Sequence, residues 1–205
     1  MLKSFKIKIL RYAVHVLAPY LLAELSNRDK ETLAWFMSHF KSCGKNFQVG
    51  PSYILNGMEY ITIGDDFYAG AHFRMEAIES FAGEKFTPKL IIGNNVGFQE
   101  LCHVGCVNSV SIGDGCLFAS KVFITDHLHG NVSKEDLSQS PENRKLSYKP
   151  VKIGKNVWVG DGVCILPGVT LGDNVIVGAN AVVTHSFPAN SVIAGCPAKL
   201  IKTLK

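Results

Sequence analysis

Residues 151–184 read VKIGKNVWVGDGVCILPGVTLGDNVIVGANAVVT, and a large aliphatic residue recurs in them at every sixth position. The six residues of this series are Ile153, Val159, Ile165, Leu171, Val177 and Val183. Small apolar residues lie four positions further on, at Val157, Val163, Val169, Val175 and Ala181. Neither the period of an amphipathic helix, about 3.6 residues, nor the two-residue alternation of a strand produces this spacing. The pattern therefore indicates a repeat architecture.

The same six-residue register recurs in shorter runs upstream. The runs are Ile63, Ala69 and Met75; Ile92, Phe98 and Val104; and Ile112, Phe118 and Ile124. Small slips in phase separate them, around residues 79–91 and 110–112. We predict an all-β solenoid, a parallel β-helix whose coils have three faces of six residues each and stack about 4.8 Å apart. Its turns fall at positions such as residues 154–156 and 172–174, where glycine and asparagine tolerate the required backbone.

Two parts of the chain lack the repeat. Residues 1–45 are predicted to form an N-terminal cap of two helices, the second capped by Ser26 or Asn27, that covers the open strand edge. Residues 46–205 are the β-helix domain, and residues 128–152 interrupt it with a polar, unpatterned loop. A loop of this length inside a compact solenoid is uncommon unless it has a function.

Composition excludes some classes of function. The net charge of +4 is too small to indicate a nucleic-acid-binding protein, and the first eleven residues carry four basic side chains and no acidic one. An apolar stretch follows at residues 12–22, but it is short for a membrane span and His15 and Pro19 interrupt it. We expect this segment to pack on the protein. Peripheral contact with an anionic inner membrane is the alternative, which vesicle sedimentation with and without residues 1–22 would test.

Cysteine usage favours a reducing, cytoplasmic compartment. None of the six cysteines falls in a CxxC pair, and the chain is larger than the small secreted domains that depend on disulfides. Cys102, His103 and Cys106 are close enough in sequence to suggest a metal cluster, but inward positions of the repeat explain the cysteines more simply. We expect no metal.

Several motifs together resemble the hexapeptide-repeat acyltransferases, in particular the polysaccharide and lipopolysaccharide O-acetyltransferases, which are similar to the maltose and galactoside acetyltransferases. Besides the hexads, they are Thr125-Asp126-His127 just before the loop, Val157-Trp158-Val159-Gly160 after it, and Val192-Ile193-Ala194-Gly195-Cys196-Pro197-Ala198-Lys199 near the end. The resemblance covers roughly residues 50–203. It implies a left-handed coil, although parallel crossovers are generally right-handed. It also implies a homotrimer that binds acetyl-CoA in clefts between neighbouring subunits.

Acetyl transfer to a hydroxyl requires removal of the hydroxyl proton as the oxygen attacks the thioester. A histidine suits this task near neutral pH. Among seven histidines, His127 lies where the repeat stops and the loop begins, and it matches the family's catalytic histidine. His129 is either a substrate-orienting residue or an ordinary loop residue, and Asp126 is a weaker candidate for holding an imidazole tautomer or contacting substrate. The chain lacks the G-x-S-x-G elbow of serine hydrolases, the P-loop and the Rossmann fingerprint.

The resemblance implies further site residues. Gly160 is a candidate backbone donor to the oxyanion, and Trp158 is a candidate ligand or subunit contact. The segment from Gly178 and Ala179 to Thr184 matches the one that lines the pantetheine groove in relatives, although His185 stands where they often have a basic residue. The remaining candidates are Lys199 and Lys202 for the phosphates of coenzyme A, and Arg74 and Glu76 for an acceptor sugar.

The leading interpretation is an acetyl-CoA-dependent O-acetyltransferase that acts on a bacterial surface polysaccharide or lipopolysaccharide sugar, which is lipid-linked in one version of the hypothesis. Acetylation of a small sugar or an antibiotic, and N-acetylation of an aminosugar, use the same machinery and stay open. A different class is a β-helix scaffold or a metal protein similar to carbonic anhydrase. His127 at the loop boundary, Trp158 and the C-terminal segment favour acyl transfer over this last class.

Overall fold

The structure is a computed structural model that describes residue 31, residues 34–35, 37–131 and 133–204. The chain divides into two compact units, Met1–His39 and Phe40–Lys205. The predicted N-terminal helices, their caps and the basic segment lie almost entirely outside the described residues. Before Phe40 the structure describes residues 31, 34–35 and 37–39, and all of these are helical. The predicted boundary after residue 45 is too late, because strand Ser42–Cys43 already belongs to the repeat. Within the described part of the chain, no helix is long and apolar enough to cross a membrane.

Three sheets form the second unit, and the chain visits them in rotation. In spatial order, face 1 contains Ser42–Cys43, Ile61–Ile63, Lys89–Ile92, Ser109–Ile112, Val151–Ile153 and Thr170–Leu171. Face 2 contains Gln48–Val49, Tyr68–Ala69, Gly97–Phe98, Leu117–Phe118, Trp158–Val159, Ile176–Val177, Ser191–Ala194 and Lys199–Thr203. Face 3 contains Ile54–Asn56, Arg74–Ala77, His103–Cys106, Phe123–Thr125, Cys164–Ile165 and Val182–Val183. All pairings within these faces are parallel except that of the final strand, Lys199–Thr203.

The repeat positions form the core, as the six-residue spacing predicts. All six residues of the downstream series are at most 2% exposed, and so are the small apolar residues four positions on. Upstream, larger side chains fill the same axis. Phe67, Phe98 and Phe118 succeed one another with ring centroids 6.0 and 4.4 Å apart. Each coil therefore buries its inward side chains against the next coil, which gives the stack its stability.

The turns have the backbone that the sequence indicates. Asn156 and Asn174 both adopt left-handed φ angles, 54° and 58°. Gly154 serves a different purpose, because a Cβ there would lie 2.7 Å from the backbone nitrogen of Asp173 in the next coil. Close stacking of coils, rather than backbone freedom, requires this glycine.

The predicted 18-residue coil is correct only after the loop. Ile153 pairs with Leu171, eighteen residues on, whereas Ile92 pairs with Ile112, twenty residues on. The two additional residues lie at the corner after face 3, for example within residues 105–111, and they account for the slip near residue 110. The slip near residues 79–91 is an inserted hairpin, Ser80–Phe81 with Glu84–Lys85.

The long loop is more ordered than its polar composition predicts. It leaves the coil as strand His127–His129 and returns as strand Leu146–Tyr148, and the two pair in an antiparallel ladder. Between them lie the helix Lys134–Leu137, capped by Ser133, and the 3-10 turn Pro141–Asn143. His127 therefore lies on a paired strand that leaves the coil stack, not in an irregular turn.

One other 3-10 turn of the described residues, Met58–Tyr60, lies outside the loop and precedes the second strand of face 1.

Candidate active site

His127 projects from the point where the long loop leaves face 3. Its Nδ1 lies 3.0 Å from Oδ1 of Asp126 and 3.1 Å from the hydroxyl of Thr125. A carboxylate only accepts hydrogen bonds, so Nδ1–H donates to Asp126, and in the neutral imidazole the lone pair then lies on Nε2. The His127 side chain is 13% exposed, and it lines a cavity. This arrangement presents a proton acceptor to whatever occupies that cavity.

Asp126 is fully buried and is held by the preceding coil. The backbone N–H of Val107 donates to its Oδ1, and those of Asn108 and Ser109 donate to its Oδ2, at 2.7–2.9 Å. These three amides lie at the corner that carries the two additional residues. Burial alone would raise the pKa of the Asp126 carboxyl, but the hydrogen bond to His127 and those from the backbone amides outweigh it and hold that pKa below its ordinary value. Asp126 is therefore ionised and oriented toward His127.

The prediction that Asp126 contacts substrate is wrong, because its carboxylate is enclosed by backbone amides and His127. Its other predicted task, holding an imidazole tautomer, agrees with the 3.0 Å contact. Side chains of adjacent residues usually point in different directions. Asp126 and His127 can make contact because the chain bends at Asp126, where it leaves the coil stack.

The cavity beside His127 has a volume of about 390 Å³. It brings together three of the predicted substrate residues, namely Arg74, Glu76 and His129. Apolar side chains form much of the rest of its lining: Ile78, Phe81, Phe123, Leu128 and Leu146. Such a mixture of apolar walls and a few converging polar groups is typical of small-molecule sites. We call it the His127 cavity.

Two hairpins form one wall of the His127 cavity. The ring of Phe81, on the inserted hairpin, lies edge-on to the ring of His129, with centroids 4.9 Å apart. Phe86 and Tyr148 meet in the same way at 5.8 Å, and Lys145 pairs with Glu84 at 3.1 Å. The insertion at residues 79–91 therefore supports the strand that carries His127.

Glu76 anchors a group of polar side chains in the lining of the His127 cavity. It lies on the outward side of its strand, next to the core residue Met75, but its partners cover it: Glu76 is only 8% exposed and accepts hydrogen bonds from Asn56, Arg74 and His103. Burial alone would raise the pKa of Glu76, but the bonds from Arg74 and Asn56 more than offset it and lower that pKa. Burial, and next the Arg74 guanidinium, lower the pKa of His103 although Glu76 opposes them. We call Arg74, Glu76 and His103 the polar corner.

Gly105 separates the polar corner from His127. A Cβ at this position would lie 3.2 Å from Cε1 of His127, 3.7 Å from Nε2 of His103 and 3.7 Å from the Thr125 hydroxyl. The absent side chain leaves a gap between three polar groups at the floor of the His127 cavity. The gap is present because residue 105 is glycine, since any other side chain would occupy it.

A second cavity of about 300 Å³ lies beyond Leu128, which also lines the His127 cavity. Its lining includes Tyr148 and Lys149 from the loop and Thr184, which directly follows the last strand of face 3. Thr184 is thus the one predicted coenzyme residue that the structure places beside the loop strand of His127.

The other predicted coenzyme residues lie outside both cavities. The N–H of Gly160 donates to the carbonyl of Val177 at 2.9 Å, and a Cβ there would lie 2.7 Å from the backbone nitrogen of Ala179. The sheet therefore uses the Gly160 N–H and coil stacking requires its lack of a side chain, and the oxyanion role of Gly160 stays a prediction. Lys199 and Lys202 are exposed on the final strand, and Gly178 and Ala179 lie at a turn of the coil stack.

Trp158 occupies an outward slot of face 2, as predicted, and is 53% exposed. It lines neither of these two cavities. It pairs in register with Leu117, and Leu117 pairs with Gly97, which in turn pairs with Tyr68. The result is a row of exposed apolar side chains along face 2.

Sequence reasoning did not name four residues that line the two cavities, His103, Gly105, Thr125 and Lys149. It considered His103 only beside Cys102 and Cys106, which are buried at 1% and 0% as inward repeat positions. Alternation of His103 with buried Cys102 and Val104 was the available signal that its side chain points outward. Among the residues that the structure describes, no group of three or more His, Cys, Asp or Glu side chains is arranged to hold a metal ion.

Known proteins resemble both the repeat and the wider chain. The family model described as "bacterial transferase hexapeptide (six repeats)" matches residues 150–185. A protein of Escherichia coli (strain K12), named as a candidate lipopolysaccharide biosynthesis O-acetyl transferase, is 41% identical over 156 residues, 74% of this chain and 76% of that protein. The crystal structure of a maltose O-acetyltransferase from Clostridium difficile 630 is 30% identical, covers 83% of this chain and 73% of its own, and has a TM-score of 0.57. A galactoside acetyltransferase in complex with coenzyme A is 27% identical over 86% of this chain and 71% of its own, with a TM-score of 0.56.

Proposed function

This chain belongs to the hexapeptide-repeat acetyltransferases, and from that premise we propose that it acetylates a hydroxyl of a bacterial surface polysaccharide or lipopolysaccharide sugar, with His127 as general base. The chain is an O-acetyltransferase that uses acetyl-CoA as co-substrate. The observation that carries the catalytic proposal is the His127 imidazole, held at Nδ1 by buried Asp126 and facing a cavity. The acceptor class is suggested by the relative named for lipopolysaccharide biosynthesis, and a lipid-linked acceptor is one version of it.

The transfer needs one proton acceptor and one activated acyl group. As the acceptor oxygen bonds to the thioester carbonyl carbon, its proton passes to Nε2 of His127. The carbon–sulfur bond then breaks, and the sulfur of coenzyme A takes that proton from Nε2. His127 ends in its starting state, so no covalent enzyme intermediate is required. Asp126 stabilises the transient imidazolium by its negative charge, as the carboxylate of a catalytic triad does.

The two cavities suggest where each substrate binds. We assign the acceptor to the His127 cavity, which holds the polar corner, and the thioester arm of acetyl-CoA to the second cavity across Leu128. Thr184 lines the second cavity, and Lys149 adds a cation there that suits an anionic coenzyme. Gly178, Ala179, Lys199 and Lys202 stay candidates for the outer part of the coenzyme on the strength of the family resemblance.

Thermal unfolding with and without acetyl-CoA tests the donor half of this proposal. A ligand that binds only the folded state adds about 2.7 kcal/mol at one hundred times its dissociation constant. We expect a clear rise in Tm with acetyl-CoA and a smaller rise with pantetheine, which lacks the phosphates. No rise at millimolar acetyl-CoA in a folded sample would contradict the proposal and favour a scaffold.

We also propose a left-handed coil and a homotrimer, as in the family. The exposed row along face 2, with Tyr68, Leu117 and Trp158 between 44% and 53% exposed, supports burial of this face against another subunit. Sedimentation equilibrium should give the mass of three chains, and Trp158→Glu should lower it because a charge on this row opposes burial. Lys152→Glu, an outward change on face 1 of the same coil, serves as the control. A single-chain mass for the wild type, or dissociation by the control alone, would contradict the assignment.

A further inference from the structure

The lining of the His127 cavity includes a second histidine, His103, which is held by the carboxylate of Glu76. Neither His103 nor Glu76 takes part in the proposed proton transfer. Nε2 of His103 lies 3.2 Å from Oε2 of Glu76, across the Gly105 gap from His127. Glu76 is nearly buried and also accepts bonds from Asn56 and Arg74. Burying a carboxylate costs free energy even when it has three hydrogen-bond partners. We therefore look for a structural or recognition role of Glu76.

We propose that the polar corner binds a second hydroxyl of the acceptor, on the carbon next to the one that is acetylated. This inference rests on the proposed function, and it narrows the acceptor to a neutral sugar with two adjacent free hydroxyls. One hydroxyl meets His127 on one side of Gly105. Its neighbour meets the polar corner on the other side, where Glu76 accepts a hydrogen bond from this hydroxyl and the Arg74 guanidinium donates one to its oxygen.

The geometry supports adjacent rather than distant hydroxyls. Cε1 of His127 and Nε2 of His103 both lie within 4 Å of the position that a Cβ of Gly105 would occupy. A ligand that fills this gap therefore touches both rings at once. His103 and Glu76 form part of the cavity lining, so the ligand needs no rearrangement of the coil to reach them.

The charge of the polar corner supports a neutral acceptor. Arg74 and Glu76 pair directly, so their charges offset each other. Only the Arg74 end of the pair is substantially exposed, with 49% of its side chain accessible. The Phe81, Phe123 and Ile78 side chains around it suit the apolar face of a sugar ring. A strongly anionic sugar would lose solvation in such a cavity without gaining an unpaired cation.

Acceptors that lack one hydroxyl test the inference. The probes are methyl glycosides of galactose, glucose and mannose, each compared with its monodeoxy derivatives, and the readout is kcat/KM for acetyl transfer. A site built to bond a hydroxyl discriminates strongly against the analogue without it. With the wild type, we expect loss of the hydroxyl next to the acetylated one to lower kcat/KM by about 10²-fold or more, whereas loss of a remote hydroxyl costs much less.

Two variants show whether the polar corner reads that hydroxyl. Glu76→Gln and His103→Gln should lower transfer to the complete glycoside, and the penalty for the missing neighbouring hydroxyl should shrink toward one-fold in both. Glu79→Gln is the matched control, since this carboxylate bonds Tyr60 and does not line the cavity. It should retain both the activity and the full penalty. A merely structural role of Glu76 would lower activity without changing the ratio between the two acceptors.

The outcomes separate this inference from the proposed function. Transfer with no penalty for the neighbouring hydroxyl, or a penalty that persists unchanged in both variants, overturns the inference and leaves the acetyltransferase intact. Stabilisation by acetyl-CoA without transfer to any of these glycosides also overturns it, because the polar corner would then not select a neutral sugar. Failure of acetyl-CoA to bind would instead remove the proposed function itself.

Discussion

Replacing His127 by glutamine should lower kcat for acetyl transfer by about 10²–10⁴-fold, the range typical of a lost general base. Glutamine has nearly the reach of histidine but cannot take a proton from the acceptor. The loss should appear in kcat, because the walls of the His127 cavity and the second cavity remain in place. Release of free coenzyme A, followed with a thiol reagent, measures it.

His129→Gln is the matched control for this prediction. His129 lines the same cavity two residues away, but its ring packs against Phe81 rather than on a carboxylate. Its loss should reduce kcat/KM much less, with the effect mainly on KM. Equal losses of kcat in the two variants would contradict the assignment of the base, and full activity of His127→Gln would exclude His127 from that role.

Asp126→Asn should reduce both activity and stability. An asparagine side chain has one oxygen and one NH2 group, so it cannot accept from the amides of Val107, Asn108 and Ser109 and from His127 as the carboxylate does. The NH2 group would meet N–H donors in a fully buried position. We expect a loss of about 3 kcal/mol in the free energy of unfolding, as when one partner of a buried charged network is removed. Activity should fall by about 10²–10⁴-fold, since the imidazole loses the group that selects its tautomer.

The pH dependence of Tm gives a second test of Asp126. The pKa of this carboxyl is lower in the folded protein than the ordinary value of about 3.9 expected in the unfolded chain. Its ionised form therefore stabilises the fold fully above about pH 4, and this contribution is lost as the pH falls through the folded pKa. Asp126→Asn should show a smaller decrease of Tm on acidification than the wild type.

Asp161→Asn is the control for the losses of stability and activity expected of Asp126→Asn. The Asp161 carboxylate also accepts a backbone N–H, that of Ser120, across neighbouring coils, but it is exposed. Its replacement should cost less than about 1 kcal/mol and leave kcat unchanged. If the two asparagine variants lost the same stability and activity, Asp126 would be one more turn residue rather than the support of His127.

The inward series from Ile153 to Val183 was predictable because each six-residue unit is a local solution. One short strand buries one aliphatic side chain, and a turn of glycine or asparagine follows it, so the period is visible in any stretch of the chain. His127 could also be named as a candidate from the sequence, because the repeat stops beside it and its motif resembles that of a known family. These features depend on neighbours in sequence.

The support of His127 and the polar corner depend instead on which coil lies above which. Val107 reaches Asp126 across nineteen residues, and His103 reaches Glu76 across twenty-seven. Those separations follow from two additional residues at a corner and from the inserted hairpin at residues 80–85, which the hexad period does not specify. Gly160 shows the same dependence, because only the position of Ala179 in the next coil shows why coil stacking needs that glycine.

The sequence alone thus determined the coil and its core, and it indicated His127 as the candidate base. The tertiary structure decided which side chains join His127 around one cavity and which candidates lie elsewhere. The physical reason is that burial of a side chain within a repeat unit follows from local spacing, whereas contacts between coils follow from the register of their stacking, which insertions shift.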